Sequence, residues 1–176
     1  TAVLWSIMFN QHFGVLNDLL AKLGIIKEPI AWLANTKFVL GSVIVAELWR
    51  GIPFFAISLL AAMQGLPDDI YEAARVDGST KLQTFRFITL PMLKNTIVLT
   101  TLLRTIWEFN SVDLIYSLTG GGPVGKTTTL SMLIANQAIK TSNYGYGSAL
   151  SVVSFAILAV IAVIYMKLSG FGKEEA

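Results

Sequence analysis

Three apolar stretches of membrane-spanning length alternate with polar connectors along the chain. A helix that crosses a bilayer needs about 20 consecutive apolar residues. Three segments meet that requirement, at about 38–63, 96–118 and 149–168. The last contains no charged residue before Lys167. The pattern predicts an all-α, polytopic membrane helical bundle.

The chain opens at Thr1 on a shorter apolar stretch, residues 2–9. This stretch is too short to cross a bilayer, and no basic segment precedes it as in a signal peptide. We therefore expect it to be the remainder of a further span. On that expectation, residues 1–176 form a single membrane domain that is truncated at its N-terminus.

The connectors differ in kind. Residues 10–36 are mixed in polarity and carry an amphipathic row of leucines at Leu16, Leu19, Leu20 and Leu23. Residues 119–147 open with Gly-Gly-Gly-Pro and close with Tyr-Gly-Tyr-Gly. Within them, 130–139 has apolar residues at helical spacing over about ten residues, which predicts a short surface or re-entrant helix.

The connector at 64–95 is polar, dense in charge and typical of two short helices. Pro67 favours a helix start, and acidic residues follow in the first turns, where the helix dipole favours them. Gly78 after Asp77 predicts a left-handed C-terminal cap. Ser79 is then expected to cap a second helix, 80–89, that Pro91 stops. By its residues alone, this connector is equally well an amphipathic segment lying on the membrane surface.

The same connector carries a spaced motif. Glu72-Ala73-Ala74, three residues, Gly78, nine residues and then Ile88-Thr89-Leu90-Pro91 follow the pattern E-A-A-x3-G-x9-I-x-L-P. In this motif, and in the later Leu-Thr-Gly-Gly-Gly-Pro segment, the chain resembles the membrane subunits of binding-protein-dependent ABC importers. Their carbohydrate-type branch is the most similar.

The resemblance implies a fold, a function and partners. The fold would be a fragment of the type I importer transmembrane domain, with 64–95 as a cytoplasmic coupling loop. The chain would be a permease subunit in the cell (inner) membrane that carries a sugar or related solute and hydrolyses no ATP itself. Its partners would be an ATP-binding cassette subunit, a second and different permease subunit, an extracytoplasmic solute-binding protein and membrane lipid. The residues implied to contact the ATPase are Glu72, Ala73, Ala74, Asp77 and Gly78.

The same resemblance implies an orientation. Residues 10–36 and 119–147 would lie outside the cell, whereas the tail from Lys167 would lie inside.

Charged residues inside the predicted spans form two polar stripes. An ionisable group at mid-membrane is costly and usually faces a bundle interior or water. Helical spacing places Glu47, Arg50 and Phe54 on one helix face, and Arg104, Trp107 and Glu108 on one face of the next span. These six residues are candidates for a solute pathway, because charged groups can hydrogen-bond sugar hydroxyls and aromatic rings can stack on a pyranose. The alternative is that Glu47–Arg50 and Arg104–Glu108 are ion pairs that hold the bundle together.

One further motif predicts a different function. Residues 120–127, Gly-Gly-Gly-Pro-Val-Gly-Lys-Thr, satisfy the phosphate-binding P-loop pattern. A P-loop follows a strand and presents backbone amides to phosphate. Here a long apolar stretch precedes the motif and Pro123 removes an amide, so a glycine-rich turn is favoured. Two hypotheses compete with that of an importer subunit. One is a membrane NTPase that uses residues 120–127, and the other is a multi-pass scaffold protein whose charged connector lies on the membrane surface.

Composition excludes several other classes. The formal net charge is only +2 and the basic residues form no stripe, which argues against nucleic-acid binding. The chain has no cysteine and one histidine, so it offers no disulfide, thiolate metal site or histidine cluster. We predict no catalytic residues, no metal and no cofactor.

Overall fold

The computed structural model describes residues 1–171, and this part of the chain is helical and contains no strand. The first half contains α1 (Ala2–Met8), α2 (Val15–Lys22), α3 (Val39–Gln64), α4 (Asp68–Val76) and α5 (Lys81–Thr84). A π-helical turn, Phe85–Thr89, leads to α6 (Leu90–Met92) and α7 (Lys94–Phe109). The last three helices are α8 (Asp113–Thr119), α9 (Leu130–Ile139) and α10 (Tyr144–Ser169). The predicted all-α fold class is confirmed.

Two helices, α3 and α10, are long and apolar enough to cross a bilayer. Each has 26 residues, which corresponds to about 39 Å at 1.5 Å per residue. Helix α3, Val39–Gln64, matches the first predicted stretch, 38–63, to within one residue at each end. Helix α10 begins before the predicted stretch 149–168, because the Tyr-Gly-Tyr-Gly segment is already helical.

The second predicted stretch, 96–118, is not one helix. Helix α7 ends at Phe109 and α8 begins at Asp113, so residues 110–112 interrupt it. The backbone amide of Ser111 bonds the carbonyl of Glu108 in a turn, and the Ser131 hydroxyl donates to the carbonyl of Phe109. A side chain from outside the helix thus satisfies a carbonyl at its C-terminal end, which permits the interruption within an apolar stretch.

The described chain divides into two compact units. The first contains Thr1–Gly51 and Glu108–Leu158, and the second contains Ile52–Trp107 and the chain from Ala159 on. The core of the first unit is built from α1, α3, α8 and α9. Its buried side chains are Trp5, Phe9, Val43, Ala46, Leu114, Ile115, Leu118 and Met132.

A buried asparagine organises the connector 10–36. Asn17 lies on α2 and is only 6% exposed. Its amide nitrogen donates to the carbonyls of Gln11 and Ile30, and its amide oxygen accepts from the Ile30 backbone and the Trp32 indole. All these bonds are 2.9–3.1 Å long. The Asn17 side chain, in which every donor and acceptor is bonded, therefore holds α2, residue 11 and residues 30–32 together.

The connector 64–95 is helical as predicted, with two corrections. Thr80, not Ser79, caps α5: its hydroxyl accepts from the Gln83 amide, and the Gln83 side chain accepts from the Thr80 amide. Pro91 does not end the second helix, because it lies at the start of α6. The π-helical turn just before it widens the helix, which accommodates a residue that lacks an amide hydrogen.

The loop 120–127 is closed by its own hydrogen bonds. The Thr127 hydroxyl donates to the carbonyl of Gly122 at 2.9 Å and lies 2.7 Å from the Thr119 hydroxyl. The amides of Gly121 and Thr127 also bond within the loop. Helix α8 precedes the loop where a P-loop has a strand, and α9 begins only at Leu130. The amides therefore do not form an open phosphate cradle.

This geometry gives opposite expectations for two neighbouring residues. Thr127→Val should lower the free energy of unfolding by about 1–2 kcal/mol, because Thr127 is buried and its hydroxyl bonds the loop. Lys126→Ala should leave both stability and ATP turnover unchanged, because Lys126 is exposed. Thermal unfolding in detergent and ATP hydrolysis by the purified complex measure the two effects. A loss of ATP turnover in Lys126→Ala would instead indicate nucleotide binding by this loop.

Candidate functional site: a coupling loop and an intramembrane charge cluster

Helix α4 ends in a well-formed C-terminal cap at the predicted glycine. Gly78 has φ +76°, in the left-handed region. Its amide bonds the carbonyl of Arg75, and the amide of Ser79 bonds the carbonyl of Ala74. These two bonds define a Schellman motif, which glycine favours because it has no Cβ. The sharp turn directs the chain out of α4 toward α5.

Four of the five predicted contact residues lie on an exposed surface. Glu72, Ala73, Asp77 and Gly78 are exposed, and the Glu72–Arg75 ion pair on α4 is exposed as well. Ala74 differs from the prediction, because it is only 6% exposed and packs inside the loop. Its carbonyl also accepts the Ser79 hydroxyl at 2.6 Å. Ala74 therefore supports the turn and does not add to the exposed surface.

Exposed apolar side chains surround this turn. Val76 is 87%, Leu82 75% and Phe87 70% exposed. A groove of about 310 Å³ lies beside them, lined by Asp77, Gly78, Ser79, Gln83, Thr84, Phe87 and Ile88. Because exposed apolar side chains clustered with polar ones mark contacts with a protein or a membrane, the loop has the surface expected of an interaction site.

The intramembrane charges form a cluster on one atom of Arg50. Its Nη2 atom lies 2.8 Å from the Glu47 carboxylate and 2.9 Å from the Glu108 carboxylate. The same atom donates to the Ser111 hydroxyl at 2.9 Å. The three charged side chains are between 15% and 33% exposed. Arg50 therefore joins α3 to the C-terminal end of α7 and to the interruption that follows it.

The cluster contains one expected ion pair, within α3, and a further pair between two helices. Glu47 and Arg50 pair within α3 as one hypothesis predicted, but Glu108 contacts Arg50 of another helix. Arg104 has an interaction of its own. Ser111 was not among the six candidates. Its position one turn after Glu108, on the same polar stripe, could have indicated that it belongs to the cluster.

The two aromatic candidates contact each other in the second unit. The rings of Phe54 and Trp107 have centroids 5.1 Å apart in an edge-to-face arrangement, with an interplanar angle of 62°. Trp107 remains 52% exposed. Its exposed ring can therefore still present an apolar face to a ligand. No group of three metal-ligating side chains occurs within residues 1–171.

Comparison with known proteins places the chain in one family. Residues 1–170 match the family described as "Binding-protein-dependent transport system inner membrane component". The trehalose/maltose transport system permease protein MalF of Thermococcus litoralis is 37% identical over 170 residues, which cover 97% of this chain and 57% of that protein. The lactose transport system permease protein LacF of Rhizobium radiobacter is 37% identical, with coverages of 92% and 56%. The sulfoquinovosyl glycerol transport system permease protein SmoG of Agrobacterium fabrum is also 37% identical, with coverages of 94% and 53%.

Two solved structures share the fold. A bacterial ABC transporter involved in import of the acidic polysaccharide alginate superposes with a TM-score of 0.81 at 23% identity. A bacterial alginate ABC transporter in complex with alginate pentasaccharide-bound periplasmic protein gives 0.83 at 24% identity. Each match covers 96% of this chain and 58% of the other. The chain thus spans a little over half the length of the relatives it matches. It belongs to the family of binding-protein-dependent transport system inner membrane components.

Proposed function

We propose that the chain is part of the permease subunit of an ATP-driven ABC importer for a sugar or related solute. The observation that carries the proposal is the exposed α4–α5 turn. It combines the E-A-A-x3-G motif, a left-handed cap at Gly78 and an apolar rim. A separate ATP-binding subunit would dock there and change the orientation of the turn on binding and hydrolysing ATP.

The remaining parts of the importer follow from this role. A second permease subunit would complete the pathway, and an extracytoplasmic solute-binding protein would deliver the solute. The loop 64–95 would face the cytoplasm of a cell whose inner membrane holds the bundle. Relatives named for trehalose/maltose and lactose transport support a saccharide as the solute. ATP hydrolysis would belong to the docked subunit, so this chain would need no cofactor.

The intramembrane residues are proposed to line the solute pathway. Arg50 with its two carboxylates offers hydrogen-bonding groups in a partly exposed position. Phe54 and Trp107 offer an aromatic surface, and Arg104 is a further candidate on the same helix as Trp107. Coupling is then mechanical: ATP-dependent movement of α4 biases the helices between outward-open and inward-open arrangements.

Uptake by the reconstituted importer tests the function. The full-length subunit is placed in liposomes with its ATP-binding subunit, partner permease and solute-binding protein, and labelled maltose, trehalose, lactose and alginate oligosaccharide are supplied. We expect uptake of at least one saccharide that requires both ATP and the binding protein. Glu72→Ala should reduce that uptake by about tenfold or more, because truncation of a central interface residue costs about 2 kcal/mol.

A matched control is Glu28→Ala, which removes an exposed carboxylate from the connector 10–36. This variant should retain normal dependence on ATP. Uptake that proceeds without a nucleotide-hydrolysing partner, or a Glu72→Ala importer with full activity and normal ATPase binding, would contradict the proposed docking.

A further inference from the structure

The Gly78 turn is the point at which α4 can change its angle relative to the rest of the loop. Gly78 is exposed, and no atom lies within 4 Å of the position that a Cβ would occupy. Glycine has more backbone freedom than any other residue, so the chain can bend there easily. Movement of α4 would therefore not reach α7 through the backbone of this turn alone.

The two backbone bonds of the C-terminal cap join residues three and five positions apart, and the side-chain bonds of Ser79 are equally local. The Ser79 hydroxyl donates to the carbonyl of Ala74 at 2.6 Å and lies 3.1 Å from the Thr84 hydroxyl. Both contacts lie close to Gly78 in sequence. Because they act near the pivot, they resist rotation of α4 only weakly.

One side-chain contact spans a longer distance. The Tyr71 hydroxyl, near the middle of α4, lies 3.1 Å from the Thr89 hydroxyl. Tyr71 is half-buried, and Thr89 is only 4% exposed. The two residues are 18 positions apart in the chain, so the contact closes the whole α4–α5 loop into a ring.

Thr89 also lies at the base of α7. It is the last residue of the π-helical turn, in which the Leu90 amide bonds the carbonyl of Phe85. The Thr89 carbonyl accepts from the amide of Leu93, the residue just before α7 begins at Lys94. A force applied at Tyr71 therefore reaches the start of α7 without passing through Gly78.

We propose that the Tyr71–Thr89 hydrogen bond is the brace that makes α4 and the base of α7 move as one body when ATP binds to the docked subunit. The inference rests on the proposed function, because it assumes that an ATPase moves α4. Tyr71 is then a positioning residue that transmits movement and need not contact the ATPase itself. Without the brace, α4 pivots at Gly78 and the movement is lost before α7.

Fluorescence from two reporter sites separates movement of α4 from movement of α7. Single cysteines are introduced at Asp69 on α4 and at Leu99 on α7, both exposed, in an importer from which other accessible cysteines have been removed. Each cysteine is labelled with bimane in the assembled importer, and the emission change on addition of Mg·ATP is recorded. Tyr71→Phe and Thr89→Val then remove one hydroxyl each while keeping side-chain volume.

We expect the ATP response at position 99 to fall about fivefold in either variant, the population change that loss of one side-chain hydrogen bond produces. The response at position 69 should persist. The double variant should resemble the single ones, because both remove the same bond. Tyr144→Phe, which removes an exposed tyrosine hydroxyl from α10, should respond normally at both sites.

Other outcomes overturn the brace. Full responses at both positions in the two single variants would show that movement passes through another route. Loss of both responses would show that Tyr71 and Thr89 serve docking or folding. An importer with the native Tyr71 and Thr89 that shows no ATP response at position 69 would overturn the proposed function, and the brace with it.

Discussion

Replacement of Gly78 by valine is expected to reduce solute uptake by the reconstituted importer at least about tenfold. Gly78 has φ +76°, a conformation that costs an L-residue with a Cβ roughly 1–2 kcal/mol and a β-branched residue more. The strain opposes the Schellman motif that ends α4. The exposed turn is also the surface on which the ATP-binding subunit is proposed to dock, so the added side chain projects into that interface.

Two further variants separate these causes. Gly78→Asn should retain more uptake than Gly78→Ala, although asparagine is larger, because asparagine tolerates the left-handed region. The space around the added Cβ is open to 4 Å within this chain, so an internal clash does not explain a loss. Gly145→Ala is the matched control, since Gly145 lies within α10 in similarly open space.

The measurements are ATP-dependent uptake and co-purification of the ATP-binding subunit. If Gly78→Val transported at the unmodified rate with its partner bound, the turn would have no role in coupling. Equal losses in Gly78→Asn and Gly78→Ala would assign the effect to the interface and not to backbone strain.

The structure of the connector 64–95 was well predicted because its signals are local. Proline before acidic residues indicated the start of α4, and Asp77-Gly78 indicated its cap. The error of one residue at the next cap arose because Ser79 and Thr80 are both good cap residues. The reciprocal bond with Gln83 favours Thr80, while Ser79 bonds back to Ala74. Gln83, three residues after Thr80, was a local signal for this choice, because Ser79 has Leu82 at the corresponding position.

The missed features depend on contacts between distant residues. The pattern at 96–118 is mostly apolar and indicated one helix, although Asn110 and Asp113 lie within it. Polar bonds from Arg50 and Ser131 satisfy groups at the interruption. The π-helical turn before Pro91 likewise has no local signature that separates it from a helix end. Neither periodicity nor propensity contains this information, because both describe neighbours in sequence.

Helical spacing placed the charged residues on the correct faces but did not decide how they pair. Glu108 is one turn from Arg104 and was expected to pair with it in one hypothesis. The structure brings Arg50 to it across 58 positions of sequence, an arrangement that depends on how α3 packs. A local ion pair within one helix therefore does not exclude a further contact where a second helix presents the opposite charge.

Arg50→Met should lower the free energy of unfolding by about 3 kcal/mol, the cost of removing one member of a partly buried ion cluster. The variant takes away the guanidinium that contacts both Glu47 and Glu108, in a segment where lipid or protein replaces much of the water. Arg50→Lys should cost less, because it keeps the charge but loses the planar, multi-donor geometry. Thermal or denaturant unfolding of the purified complex in detergent measures these changes.

Arg75→Met is the control for loss of a guanidinium. Arg75 pairs with Glu72 at 3.5 Å, but both side chains are about 70% exposed, so stability should not change measurably. If Arg50→Met and Arg75→Met had the same free energy of unfolding, the ion cluster around Arg50 would make no net contribution to stability.

A triple variant, Arg50→Met with Glu47→Gln and Glu108→Gln, then separates the two hypotheses for these charges. It removes all three charges together, so most of the lost stability should return, as it does when a whole buried ion cluster is replaced. If the cluster also lines the solute pathway, the triple variant should regain stability but not uptake. Methionine and neutral amides cannot reproduce the charged hydrogen-bonding surface. We therefore expect a stable importer with strongly reduced uptake. A triple variant that is both stable and fully active would show that these charges only hold helices together.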